Sequence, residues 1–296
     1  MLPKPKWFNK VILSPAEAFR ISQQRQCRIV RVRAERGAGE ASAAPRERGK
    51  AKRVETWNIF DLIGHDAPRP NSLPSLAAFK QFTAARCIRE QEVLLFFDDD
   101  ELLQASRLFW LFALWGKSCR LVNAHSSELQ REGFLFEEAQ QKLFYRKGAY
   151  PFFTAPLQPS FDSRPLLTLS RLQMLLACRN RSGRTFATID TRSPEVFNLA
   201  ARSPEVALRE NHLPHSLNLF YRNLLADDGR LKDEQQLSDV LELLALSRYR
   251  YLVLLSENAI SATLLFVVLT HFRYKNVAVY NGSWAEYKVK RLSPTE

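Results

Sequence analysis

Two stretches of the chain, 157 positions apart, follow the same plan: a short apolar run, a polar turn, then a long apolar helical pattern. The first copy runs through 92–97 (EVLLFF), 98–101 (DDDE) and 102–114; the second runs through 251–255 (YLVLL), 256–259 and 260–270. At that shift Leu95-Phe96-Phe97-Asp98-Asp99 falls on Leu252-Val253-Leu254-Leu255-Ser256, Ala105 on Ala262 and Val122 on Val279. Apolar runs this short and this uniform read as strands buried on both faces. Strands alternating with helices predict a mostly parallel sheet with helices on both faces, and the repeat predicts two such domains in tandem.

The flanking segments extend each copy. Residues 27–33 (CRIVRVR) alternate apolar and basic side chains and read as a strand. Residues 74–85 place Leu76, Phe79 and Phe82 on a helical face, 120–122 begin a strand and 128–132 a short helix. In the second half 185–190 (TFATID) and 276–280 (NVAVY) read as strands, 233–246 as an amphipathic helix, and 284–287 as a helix start. The expected boundaries are an N-terminal domain at 1–133, a linker at 134–165 carrying four prolines, and a C-terminal domain at 166–291.

Composition narrows the function classes. With 296 residues, 46% hydrophobic and 25% charged, the chain suits two globular domains. The longest wholly apolar run, 108–115, has 8 residues, and a span needs about 20, so no membrane span is expected. The four cysteines, Cys27, Cys87, Cys119 and Cys178, lie far apart without a CxxC pair. That excludes a disulfide scaffold or zinc ribbon and fits a reducing compartment.

Charge is concentrated at one end. Residues 1–53 hold 14 basic and 4 acidic side chains, a net of +10 out of +12 for the whole chain. Such a block suits phosphate backbones, since each Lys or Arg on a phosphate releases a counterion; a solvated surface or the remnant of an Arg-rich import sequence also fits. Within it, 34–53 (AERGAGEASAAPRERGKAKR) is too small and polar to bury a core and reads as an inserted flexible loop.

This order resembles the two-domain sulfurtransferases, rhodanese and mercaptopyruvate sulfurtransferase, over roughly residues 7–291. Asp190-Thr191-Arg192-Ser193 is similar to the family's D-x-R-S. Asn211-His212-Leu213-Pro214-His215-Ser216 with Asn218 is similar to its G-H-I-P-G-A-x-N turn, and Gly229-Arg230-Leu231-Lys232 to its G-x-x-K. Residues 276–287 (NVAVYNGSWAEY) are close to its V-x-x-Y-D-G-S-W-x-E-W, the most specific block. The N-terminal half matches by pattern, through 57–61, 73–82 and the strand–turn–helix at 92–114. The implied fold is α/β, two tandem rhodanese-like domains.

The resemblance also implies a chemistry. The family keeps a cysteine after the central strand, at a helix N-terminus whose N–H groups favour a thiolate and its persulfide. The loop C-x-x-G-x-T-A reads here Ser256-Glu257-Asn258-Ala259-Ile260-Ser261-Ala262. An alcohol is far less acidic than a thiol and cannot store the transferable sulfur. Glu257 sets a negative charge beside an anion pocket, Ala259 replaces a glycine, and Pro194-Glu195-Val196-Phe197 stands where a substrate-binding arginine is expected. None of the four cysteines falls in either loop. The expectation is therefore a catalytically degenerate member, without enzyme activity, cofactor or metal.

Other signals have plainer readings. Ser256 lacks the glycines of a nucleophile elbow. His212 and His215 in a turn, and the acidic run 98–101, are incomplete metal sets. Phe109, Trp110, Phe112 and Trp115 recur at helical spacing, as core does. The expected role is a structural subunit of a large assembly in the mitochondrial matrix, the mitochondrial ribosome first. Lys4, Lys6, Lys10, Arg46, Arg48, Lys50, Lys52, Arg53, Arg179, Arg181 and Arg184 are its candidate contacts to RNA or protein. The alternatives are a sulfurtransferase using another thiol, a small-anion binder in the old pocket, and a subunit of a respiratory or ATP synthase complex.

Overall fold

The computed structural model describes residues 10–24, 26–35, 53–63, 72–136, 157, 159–182, 186–198, 211–213 and 216–292. The chain divides into two compact units, 1–161 and 162–296.

Unit 1 is a six-stranded sheet with every strand pair parallel. Its strands are β1 (Ile12–Leu13), β2 (Cys27–Arg33), β3 (Arg53–Asn58), β4 (Val93–Phe97), β5 (Cys119–Val122) and β6 (Leu135–Phe136), in the spatial order β1-β5-β4-β2-β3-β6. β4 lies between β2 and β5, and Leu94 to Phe97 are fully buried. A strand covered on both faces has no use for polar alternation, which is why it reads as an unbroken apolar run. The helices are α1 (Pro15–Gln24), α2 (Phe60–Ile63), α3 (Leu76–Ala85), α4 (Leu103–Leu114) and α5 (Ser126–Arg131). Ser14 and Glu17 exchange backbone–side-chain hydrogen bonds at the start of α1, and the Ser75 hydroxyl caps α3. α4 is buried nearly all round. Its Phe112 ring meets Trp57, Phe79, Phe82 and Phe96 at centroid distances of 5.1–6.2 Å, an aromatic core of edge-to-face and tilted contacts.

Unit 2 repeats the plan with five strands, again all parallel: β7 (Leu166–Leu167), β8 (Phe186–Asp190), β9 (Leu217–Asn218), β10 (Tyr251–Leu255) and β11 (Val277–Tyr280). Their order, β7-β11-β10-β8-β9, matches β1-β5-β4-β2-β3. The helices are α6 (Leu169–Ser182), α7 (Pro194–Phe197), α8 (Glu234–Leu243), α9 (Ile260–His271) and α10 (Ser283–Leu292). The fold class is thus two parallel α/β units of like topology.

Several expectations need correction. Arg53 is not the end of the insertion: it opens β3 and pairs in register with Leu135. The rest of the basic loop, Arg46, Arg48, Lys50 and Lys52 included, lies outside the described residues, as do Lys4, Lys6 and Arg184. Arg179 and Arg181, two of the candidate contacts, lie on the last turns of α6. The helix expected at 233–246 ends at Leu243, where a left-handed Ala245 turns the chain into a short 3-10 turn.

Candidate functional site

The carboxyl ends of β8 and β10 meet the N-terminus of α9 in unit 2. After Leu255 the chain makes a four-residue turn, Ser256 to Ala259, before α9 begins at Ile260. Ala259 takes the left-handed conformation, φ 66°. The residue standing in place of a glycine therefore adopts the glycine-like path, at a local cost of about 1–2 kcal/mol. Carbonyl groups of the turn face α10: Trp284 N–H donates to Ser256 O at 2.9 Å and Ala285 N–H to Glu257 O at 3.0 Å. The N–H groups of Glu257, Asn258 and Ala259 find no acceptor among the described residues. The Ser256 side chain is buried, with its hydroxyl unpartnered. Together with the helix N-terminus this makes a cradle suited to negative charge.

The turn is held from several sides. Ser256 N–H donates to Ser283 Oγ, whose hydroxyl donates to Tyr280 O. Thr191 N–H and hydroxyl both donate to Leu255 O, and the Thr191 and Ser261 hydroxyls meet at 2.8 Å. Tyr280 O–H donates to Glu286 at 2.8 Å. A Cβ at Gly282 would sit 1.8 Å from the Glu286 carboxylate, so any larger residue there must displace Glu286 from its bond with Tyr280. These contacts explain the 276–287 block as the wall behind the turn.

Charge beside the cradle is organised by Arg192. Its guanidinium grips the buried Asp190 carboxylate through Nε and Nη2, at 3.0 and 2.6 Å. It also donates to Asn211 O and lies 4.8 Å from the Trp284 ring. Asn218 donates to Asp190 O and Arg192 O, pinning the same stretch. The remaining nitrogen, Nη1, reaches Glu257 at 3.4 Å, and Lys288 Nζ holds the other Glu257 oxygen at 2.9 Å. Glu257 is therefore not the uncompensated charge its position in sequence suggested: two cations, one of them 31 positions away, bracket it. Lys288 and Ser283 were not legible as site residues, because each acts through a tertiary contact.

Unit 1 carries the same architecture with a different occupant. Asp98 follows β4 and precedes a left-handed Leu102 at the start of α4. Its carboxylate accepts from the N–H groups of Asp100, Leu102 and Ala105 at 2.7–2.8 Å. This cradle is filled by the protein's own carboxylate, so Asp98 is spoken for as an internal ligand. Burial pushes its carboxyl up to about 7 against the pull of those donors. Asp99 accepts instead from Ser126 N–H and hydroxyl.

The remaining candidates separate. His212 stacks on Phe197 with ring centroids 4.2 Å apart, and its Nδ1 meets Leu213 O; His215 lies outside the described residues. Among the described residues no cluster of His, Cys, Asp or Glu could hold a metal. Cys119 is buried, its thiol pushed up to about 12 by burial, and Cys27 opens β2. Lys10 pairs with Glu17 at 2.7 Å. No described helix is long and apolar enough to cross a membrane.

Comparison with known proteins gives this arrangement its class. Residues 175–290 match the rhodanese-like domain. The 3-mercaptopyruvate sulfurtransferase of Escherichia coli strain K12 is 23% identical over 241 residues, covering 81% of this chain and 80% of that protein. The crystal structure of SseA from Escherichia coli, a 3-mercaptopyruvate sulfotransferase of rhodanese fold, superposes with a TM-score of 0.64 at 20% identity, covering 93% of this chain and 99% of that one. The yeast mitochondrial complex I sub-stoichiometric sulfur transferase subunit gives 0.70 at 14%, covering 97% and 98%. The two units are tandem rhodanese folds. Residues 175–290 form a rhodanese-like domain, and the chain as a whole is related to the 3-mercaptopyruvate sulfurtransferases.

These relatives overturn the expectation of a non-enzyme. Proteins matching about four fifths of the chain are sulfurtransferases. That expectation weighed one atom, the Ser256 oxygen, too heavily. The left-handed Ala259, the turn N–H groups without an acceptor among the described residues and the buttress from α10 keep the cradle built, and a side-chain exchange at its floor does not dismantle it.

Proposed function

We propose that this protein is a rhodanese-family component of a large assembly in the mitochondrial matrix, with the mitochondrial ribosome as that assembly, held through RNA or protein contacts of its basic arm and loop. The observation that carries the reading is the charge: residues 1–53 supply +10 of the net +12. Five of the fourteen basic residues lie in the loop, 34–52, that joins β2 to its parallel neighbour β3, so both its ends are fixed to the sheet. A segment tethered twice loses less freedom on binding than a free tail. In this reading Lys4, Lys6, Lys10, Arg46, Arg48, Lys50, Lys52 and Arg53 meet phosphates, with Arg179, Arg181 and Arg184 of unit 2 as a second patch. The yeast complex I subunit supports the reading, as a chain of this fold within a large mitochondrial complex.

The test is RNA binding by the full chain across a salt series. Replacing Arg46, Arg48, Lys50, Lys52 and Arg53 by Gln is expected to weaken binding. The log–log salt slope should flatten by up to about 4.5, near 0.9 for each of the five phosphates that would no longer be neutralised. An unchanged slope overturns the RNA reading.

A second reading is favoured by the unplugged cradle in unit 2: sulfur transfer from thiosulfate or mercaptopyruvate through another thiol. A cyanolysis assay decides it. Turnover above background, abolished by thiol alkylation, supports the reading; turnover indifferent to alkylation contradicts it, as does none.

A further inference from the structure

We infer that Glu257 is a specificity-determining residue, a built-in anion at the mouth of the unit 2 cradle that weakens the binding of small inorganic anions there. In unit 1 the equivalent donors are satisfied by Asp98, whose carboxylate takes three N–H groups. In unit 2 no side chain plays that part: Ser256 offers a buried, unpartnered hydroxyl, and the turn's N–H groups find no acceptor among the described residues. Left to itself, a twelve-residue helix with an open N-terminus would draw an anion.

Glu257 alters that balance from one residue away. Its carboxylate is half-exposed and lies between Arg192 Nη1 at 3.4 Å and Lys288 Nζ at 2.9 Å. Every other Arg192 nitrogen is committed to Asp190 or Asn211. Nη1 and the Lys288 ammonium are therefore the cationic donors left to greet an incoming anion, and Glu257 holds both. An anion entering the cradle meets neutralised cations and a like charge beside it. A neutral ligand meets no such opposition. The inference rests on the geometry of the turn and is independent of any assembly role, since anion affinity is read on the isolated full chain.

The test is equilibrium dialysis of the full chain against radiolabelled thiosulfate, with sulfate as a second anion. Glu257→Gln keeps the shape and removes the charge. It is expected to tighten both anions by about tenfold, equivalent to ~1.4 kcal/mol. Adding Lys288→Met to Glu257→Gln is expected to return affinity most of the way to the native value. Glu257→Asp is expected to bind as weakly as the native chain, and Glu257→Ala provides the neutral comparison should the Gln variant not fold. Melting midpoints establish that each variant is folded. Unchanged affinity on neutralising Glu257, or a gain that survives removal of the Lys288 charge in full, overturns the inference.

Discussion

Asp98 and Arg192 each satisfy a buried network, one by accepting backbone N–H bonds and the other by gripping a carboxylate. Asp98→Ala leaves three N–H groups without their acceptor and is expected to cost about 3 kcal/mol. Because burial raises the Asp98 pKa from the ordinary 3.8 to about 7, its contribution is fully present below the unfolded value and is lost as pH rises through the folded one. Urea unfolding of the native chain is therefore expected to show stability falling between about pH 4 and pH 7, with a slope of at most ~1.4 kcal/mol per pH unit from this group. Asp98→Asn is expected to reduce that fall; a fall of the same size in the variant contradicts the assignment. Arg192→Lys keeps the charge but not the fork that grips Asp190 at two points. It is expected to destabilise unit 2 by about 3 kcal/mol, since a carboxylate with no solvent exposure loses its bidentate partner. A melting midpoint unchanged within a degree would show that Asp190 is held mainly by other groups.

At the scale of elements, α4 carries unit 1. Phe112→Ala removes the ring that touches four other aromatics and is expected to cost about 3–5 kcal/mol. Leu243→Ala, at 86% exposure on α8, is expected to change stability by less than about 0.5 kcal/mol. Comparable losses at the two positions in denaturant unfolding would contradict this placement of the core. The same contrast explains what was legible in the sequence. β4, β10, α4 and α9 were read directly, because burial on all sides leaves uninterrupted apolar runs. β1, β6, β7 and β9 are two residues each, too short to carry any period. β3 was hidden because Glu55 interrupts it, and that carboxylate is buried only through Arg28 and the Trp57 indole N–H. α6 was hidden because much of its surface is polar and exposed. In the site, the Ser256 turn could be placed from the strand before it and the helix after it. Its electrostatics could not, because Arg192, Glu257 and Lys288 are brought together across 96 positions.

For the whole molecule, the two units share one topology but use their helix N-termini differently. Unit 1 satisfies the N–H groups of its turn with Asp98; in unit 2 those of Glu257, Asn258 and Ala259 find no acceptor among the described residues. Among the basic residues of 1–53, Arg28 serves the unit 1 sheet by pairing with Glu55 and Glu92, and the proposed assembly role rests on the remaining charge. Sedimentation of mitochondrial extract through a gradient, with and without nuclease, followed by mass spectrometry of the fractions, tests that role most directly. The chain is expected to co-migrate with ribosomal proteins at low salt and to shift to light fractions after nuclease or high salt. Migration as a free chain of 34.1 kDa at low salt contradicts it.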